Sequence, residues 1–254
     1  MYLAANWKWR DADAEWRLET DLYLDFYNFW RGNPNAETFD KDFPHKFSLG
    51  EHSPLSSSLG ESILVTESYD KMFHRLLLLR RTPLPSTEGV AIIGQPGTGA
   101  STKLDRNPRT ITHRCIGSAG KTTFLTYMLV RLMAADQIVL LLNASGLRLF
   151  YHGKVYLRPA IHGFSGIPEH NTRYPIWTLV DVDSWEEGPP LDPNLDIWPI
   201  QASDPDPRKF ASWVKKYGAI LLGMPLWNME ELIEGYVFSR LSLSAINPGH
   251  PVHH

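Results

Sequence analysis

The sequence predicts an α/β fold in which a parallel sheet is flanked by helices. Three observations carry that prediction. Short, continuous apolar runs have the length and composition of buried strands, segments between them place apolar residues at helical spacing, and the two kinds alternate along the chain. The 254 residues, 43% hydrophobic and 21% charged, supply enough apolar material for one sizeable core.

Residues 1–60 are expected to form an N-terminal extension, partly irregular, in which Asp21 to Trp30 is the one strongly apolar piece and makes a short helix on the main domain. His52 to Gly60, rich in Ser, Pro and Gly, reads as a linker. A helix follows over Thr66 to Arg80, with Thr66 as N-cap and Tyr69, Met72, Phe73 and Leu76 on one face. Pro83 and Pro85 end it, and Gly89 to Ile93 reads as a buried parallel strand. Phe124, Leu125, Met128, Leu129, Leu132 and Met133 mark a helix from Thr122 to about Ala135, before the strand Ile138 to Leu142. Leu147 to Leu157 reads as a hairpin turning at Gly153. Ile176 to Asp183 is a buried strand ending in acids, Asp196 to Ala202 a further strand, and Pro207 to Tyr217 a helix. Ala219 to Leu222 fits a last strand or a turn of helix, and Asn228 to Phe238 a last helix. The core unit is thus 61–238, with an insertion at 100–120, and 239–254 reads as a disordered tail.

Composition narrows the function classes. A formal net charge of −3 gives no basic field to attract nucleic acid, so direct nucleic-acid binding is not favoured. The single cysteine, Cys115, allows neither an internal disulfide nor a Cys-based zinc site, and suits a reducing compartment, cytoplasmic or nuclear. No apolar run reaches the length of a signal peptide core or a membrane span, so no membrane association is expected. The ten histidines show no metal-ligand spacing.

The chemistry concentrates after the strand ending at Ile93. Gly94, Gln95, Pro96, Gly97, Thr98 and Gly99 have the form of a phosphate-binding loop, in which backbone N–H groups face the phosphates and a lysine reaches the terminal ones. The next residue is Ala100 rather than lysine. The lysine stands at Lys121, followed by Thr122 and Thr123 at the start of the next apolar helix. Removing Ala100 to Gly120, a 21-residue stretch without apolar periodicity, restores G-x-x-x-x-G-K-T between strand and helix. The stretch preserves the reading frame, as a retained intron would. A competing frame, Cys115 to Thr122, lacks the first glycine and has no strand running into it.

Magnesium-nucleotide chemistry also needs a carboxylate at the end of a neighbouring strand, and often a second to orient the attacking water. Asp181, which ends an apolar run, is the expected metal partner together with Thr122, and Asp183 the expected base, with Glu186 and Glu187 as substitutes. Taken alone, an acid after a strand is more often a helix cap. Gln201 or Ser203 at the end of the next strand is placed where related ATPases sense the terminal phosphate. Arg208, Lys209, Lys215 and Lys216 share a helix with Phe210 and Trp213 and read as its solvated face.

Together these residues resemble the P-loop ATPase module of crinkler and retrotransposon-hot-spot-like proteins, abundant in fungi. The resemblance rests on Gly94 to Gly99 with Lys121 to Phe124, on Trp177 to Ser184, and on Met224-Pro-Leu-Trp-Asn-Met-Glu-Glu-Leu232, and covers roughly 65–238. It implies a P-loop NTPase-like sheet, ATP and Mg2+ as cofactors, and hydrolysis driving a conformational change. The chain departs from the pattern at the insertion and in a short C-terminus. The expected activity is therefore that of a Mg-ATP-dependent ATPase or a decayed relative of one. The alternatives are a degenerate paralogue that binds no nucleotide and serves as an interaction module for a protein partner, and a kinase-like phosphotransferase.

Overall fold

The computed structural model describes residues 16–33, 39, 42–50, 53–55, 59, 61–81, 89–94, 119–143, 145–158, 175–181, 196–203, 206–235 and 237. The chain is α/β, as expected. Its sheet has eight strands: β1 (Arg17–Glu19), β4 (Val90–Ile93), β5 (Val139–Asn143), β6 (Gly146–Tyr151), β7 (Lys154–Arg158), β8 (Ile176–Asp181), β9 (Ile197–Ser203) and β10 (Ile220–Gly223). Their order is β1-β7-β6-β5-β8-β9-β4-β10. Strands β5, β8, β9, β4 and β10 run parallel, while β6, β7 and β1 extend the β5 edge antiparallel.

The central parallel strands β4, β5, β8 and β9 are mostly apolar because both of their faces are covered, while the edge strand β10 leaves Leu221 exposed. On one face lie α1 (Leu22–Trp30), α2 (Glu67–Arg81) and α3 (Ala119–Ala134), which enclose the main core around Phe124, Met128, Leu141, Leu179 and Ile200. On the other, α4 (Ala211–Tyr217) presses Phe210 and Trp213 against Ala91, and Trp16 closes a smaller cluster with Leu140, Leu149 and Val180. The region 219–222 resolves as a strand, because Ile220 to Gly223 pair in register with Val90 to Ile93.

Local chemistry accounts for the element ends. The Asp21 carboxylate accepts from Tyr23 N–H at the start of α1. The hairpin β6–β7 turns on His152 and Gly153, both at positive φ (44° and 77°), as a two-residue primed turn requires. Helix α2 carries Glu67 and Asp70 in its first turn and Arg80 and Arg81 in its last, matching the helix dipole at both ends. Thr66 does not cap it as the sequence suggests. The residue is fully buried, its hydroxyl has no partner among the described residues, and only its carbonyl accepts from the first turn.

The N-terminal region is more regular than its composition suggests. Strand β1 joins the main sheet beside β7, and β2 (His45–Ser48) pairs antiparallel with β3 (Ser62–Val65). Phe26, Tyr27, Trp30, Phe39, Phe47 and Leu49 all belong to the main core, with Trp30 stacked on Phe47 at 5.1 Å. The expected tail, 239–254, lies outside the described residues. Among the described residues no helix is long and apolar enough to cross a membrane.

Gly89, just before β4, is held against β9 and α4. A Cβ there would fall 2.7 Å from the Pro199 carbonyl oxygen, 2.9 Å from Pro199 Cγ and 3.2 Å from Trp213. Gly89→Ala is expected to destabilise the fold by about 1–3 kcal/mol through overpacking, read as a lower denaturant midpoint at unchanged slope. An unshifted midpoint would contradict the close packing.

Candidate functional site

The carboxyl ends of the parallel strands form one edge, and the chain reverses its winding direction there. From β4 it passes through α3 to β5 and returns through β8 and β9 before crossing to β10 on the far side of β4. Crevices of this kind, outside the strand ends at a change of winding direction, are where open α/β sheets bind ligands.

Three of the sequence-selected elements meet at this edge. Gly94 follows β4 and donates its N–H to the Ser203 carbonyl at the end of β9, at 3.4 Å. Lys121, in the first turn of α3, lays its stem over Gly94: a Cβ on Gly94 would stand 3.1 Å from Lys121 Cγ and 3.5 Å from Cδ. Lys121 is only 3% exposed, although it is a lysine. The Thr122 hydroxyl donates to Asp181 Oδ1 at the end of β8, at 3.0 Å. Thr123 continues the same helical turn. Gly94, Lys121, Thr122 and Asp181, remote in sequence, are therefore neighbours. Gln95, Pro96, Gly97, Thr98, Gly99 and Asp183, with Glu186 and Glu187, lie outside the described residues.

The start of α3 is held by a residue that sequence reasoning placed only in the core. Tyr69 of α2 is fully buried and donates its hydroxyl to the Gly120 carbonyl at 3.0 Å. Desolvation, followed by the charge of Glu231, pushes its ionisation well above the ordinary tyrosine range, so the hydroxyl keeps the proton that it donates. Nothing in its spacing distinguishes Tyr69 from Met72 or Leu76 as an apolar helix face.

Gln201 does not occupy a strand end. It pairs with Ala91 and Val180 inside the sheet, so it points to the α4 face, away from α3, and its Oε1 is buried without a partner among the described residues. Ser203 does end β9. Arg208 pairs at 2.7 Å with Asp206 on the surface, as a solvated helix start would.

The Met224 to Leu232 segment begins beside the site, where Met224 N–H donates to the Ile93 carbonyl at 2.8 Å. It then starts α5, a helix over residues 229–235, with a reciprocal cap. Asn228 Oδ1 accepts from Glu231 N–H at 2.9 Å, and Glu231 Oε2 accepts from Asn228 N–H at 2.8 Å. Trp227 packs on Gly235, where a Cβ would come within 2.4 Å of the indole. Asn228, Glu231 and Trp227 of this segment, with Gly235 just beyond it, thus have a structural use.

The donor set at the edge is a threonine hydroxyl and a carboxylate, hard oxygen ligands of the kind Mg2+ takes when phosphate and water complete its shell. Among the described residues no group of three or more His, Cys, Asp or Glu could hold a metal unaided. No family model, no curated protein and no solved structure matches this chain.

Proposed function

We propose that the chain binds Mg-ATP at the carboxyl edge of its sheet, as a P-loop ATPase or a close derivative of one. The observation that carries the reading is the Thr122–Asp181 hydrogen bond, which brings the start of α3 to the acid-bearing strand, with Lys121 against Gly94 beside it. In this reading Thr122 and Asp181 hold Mg2+, which neutralises charge between the phosphates. Lys121 supplies the positive charge to the terminal phosphates, and the N-terminal N–H groups of α3 face the anion with the helix dipole behind them. A side chain at Gly94 would crowd the lysine stem, since a Cβ there would stand 3.1 Å from Lys121 Cγ. Gln95 to Gly99 are assigned to the phosphate cradle, Thr123 to its helical wall, and Asp183 to the activation of water. The resemblance to crinkler-type modules supports the same assignment.

The test is Mg-ATP titration of the whole chain and of a form lacking Ala100 to Gly120. Because both Gly99 and Gly120 are glycines, the deletion leaves a glycine ahead of Lys121, and the carbonyl that Tyr69 holds survives. Saturable Mg-dependent binding in both forms supports an ATPase. Binding in the deletion form alone identifies a paralogue disabled by its insertion. Absence of binding in both, with the chains folded, overturns the nucleotide reading.

A further inference from the structure

The N-terminal strand β1 reaches the candidate site through a buried arginine. Arg148, 5% exposed and bound through Nε and Nη2 to Glu19 of β1, extends Nη1 to Ser145 Oγ at 2.7 Å and to Asn143 Oδ1 at 3.4 Å. Asn143 ends β5, and its Oδ1 also accepts from the Ser145 N–H at 3.0 Å and from the Ser145 hydroxyl at 2.7 Å. Three donors thus converge on one oxygen. Turning the amide over would set Nδ2, itself a donor, against the Ser145 N–H and the guanidinium, so chemistry fixes its direction.

The order of the strands gives that direction a use. Strand β5 lies between β6, which carries Arg148, and β8, which ends in Asp181. Asn143 and Asp181 are partners in register, on strands whose spacing is about 5 Å. Both side chains rise on the α3 face, because Leu141 and Leu179, two residues earlier, belong to the main core and Asp181 accepts from Thr122. With Oδ1 turned toward β6, the two N–H bonds of Nδ2 are left for the Asp181 side, and they form no hydrogen bond among the described residues. In the nucleotide reading Asp181 and Thr122 hold the metal that bridges the last two phosphates, so a donor beside Asp181 stands next to the terminal one.

We infer that Asn143 is a phosphate-binding residue, its Nδ2 donating to an oxygen of the terminal phosphate of a bound triphosphate. Ser145 and the Glu19–Arg148 pair are positioning residues that hold Oδ1 turned away. Resting on the Mg-ATP reading, this assignment makes Asn143 a group that tells ATP from ADP, and makes the N-terminal strand part of the nucleotide site.

Calorimetric titration with Mg-ADP and with the Mg complex of AMP-PNP, a non-hydrolysable ATP analogue, tests it on the full chain, or on the form lacking Ala100 to Gly120 where only that form binds. Asn143→Ala is expected to weaken AMP-PNP binding about tenfold or more and to leave ADP within about twofold, since a hydrogen bond to a charged group is lost for the triphosphate alone. The exposed change Ser145→Ala is expected to be selective in the same sense by severalfold, and it serves if Asn143→Ala does not fold. The double variant Glu19→Leu with Arg148→Met removes the positioning pair without stranding a charge, and the same selective loss is expected of it. Equal losses for the two nucleotides, or none for either, in folded variants of a parent that binds would overturn this assignment alone. Binding of neither nucleotide by either form overturns the Mg-ATP reading, and the assignment with it.

Discussion

Lys121→Ala is expected to lower Mg-ATP affinity by roughly 30-fold to several thousandfold, the range for removing one partner of a desolvated charge pair. The lysine is almost wholly buried, and its stem is confined against Gly94, so little water is available to replace its charge beside a phosphate. Asp181→Asn acts differently. Asparagine still accepts from the Thr122 hydroxyl, so the edge keeps its geometry while losing the charge that attracts the metal. Nucleotide titrations with and without Mg2+ separate the two variants: the lysine variant is weak in both, and the asparagine variant loses the Mg2+ enhancement alone. An alanine variant that binds as tightly as the parent would remove Lys121 from any phosphate site.

Glu19→Ala is expected to cost about 3–5 kcal/mol of folding stability, because it strands a buried guanidinium. Arg148 Nε reaches Glu19 Oε2 at 3.0 Å and its Nη2 reaches Oε1 at 3.2 Å, with both side chains less than a tenth exposed. The pair ties β1 to β6 across the intervening β7. Arg148 also donates to Ser145 Oγ at 2.7 Å and lies 3.8 Å over the Tyr23 ring, which places the loss toward the lower end of that range. Urea unfolding measures it. The double variant Glu19→Leu with Arg148→Met should recover most of the loss, since an apolar pair carries no desolvation penalty. A loss below about 0.5 kcal/mol would mean that the ion pair is solvated.

The parallel core was legible because its central strands are buried on both faces: Val139 to Leu142 and Val90 to Ile93 are apolar without interruption, and Ile176 to Val180 is broken only by the buried Thr178. The hairpin was legible from Gly153, whose positive φ the turn requires. Strand β1 was not, since Arg-Leu-Glu carries no periodicity and takes its place through pairing with Tyr156 and the Glu19–Arg148 bond, both long-range. The β2–β3 pair was hidden in the same way, each strand being four residues long and separated by a Ser-, Pro- and Gly-rich stretch. Within the candidate site, the meeting of the start of α3 with Asp181 was legible because strand ends and helix starts adjoin along one side of an α/β sheet. The direction of Gln201 was not, because the period of two fixes a face only once the register is known.

The grip of Tyr69 on Gly120 changes what the interruption between Gly94 and α3 means. Lengthening a connection from about three residues to about twenty-four adds on the order of 2 kcal/mol of closure entropy, since that term grows only with the logarithm of length. With the helix start fastened from α2, this cost falls on the overall stability of the domain rather than on the position of Lys121. Selection on such a chain can therefore tolerate extra residues at this point for as long as the rest of the fold holds that much stability in reserve.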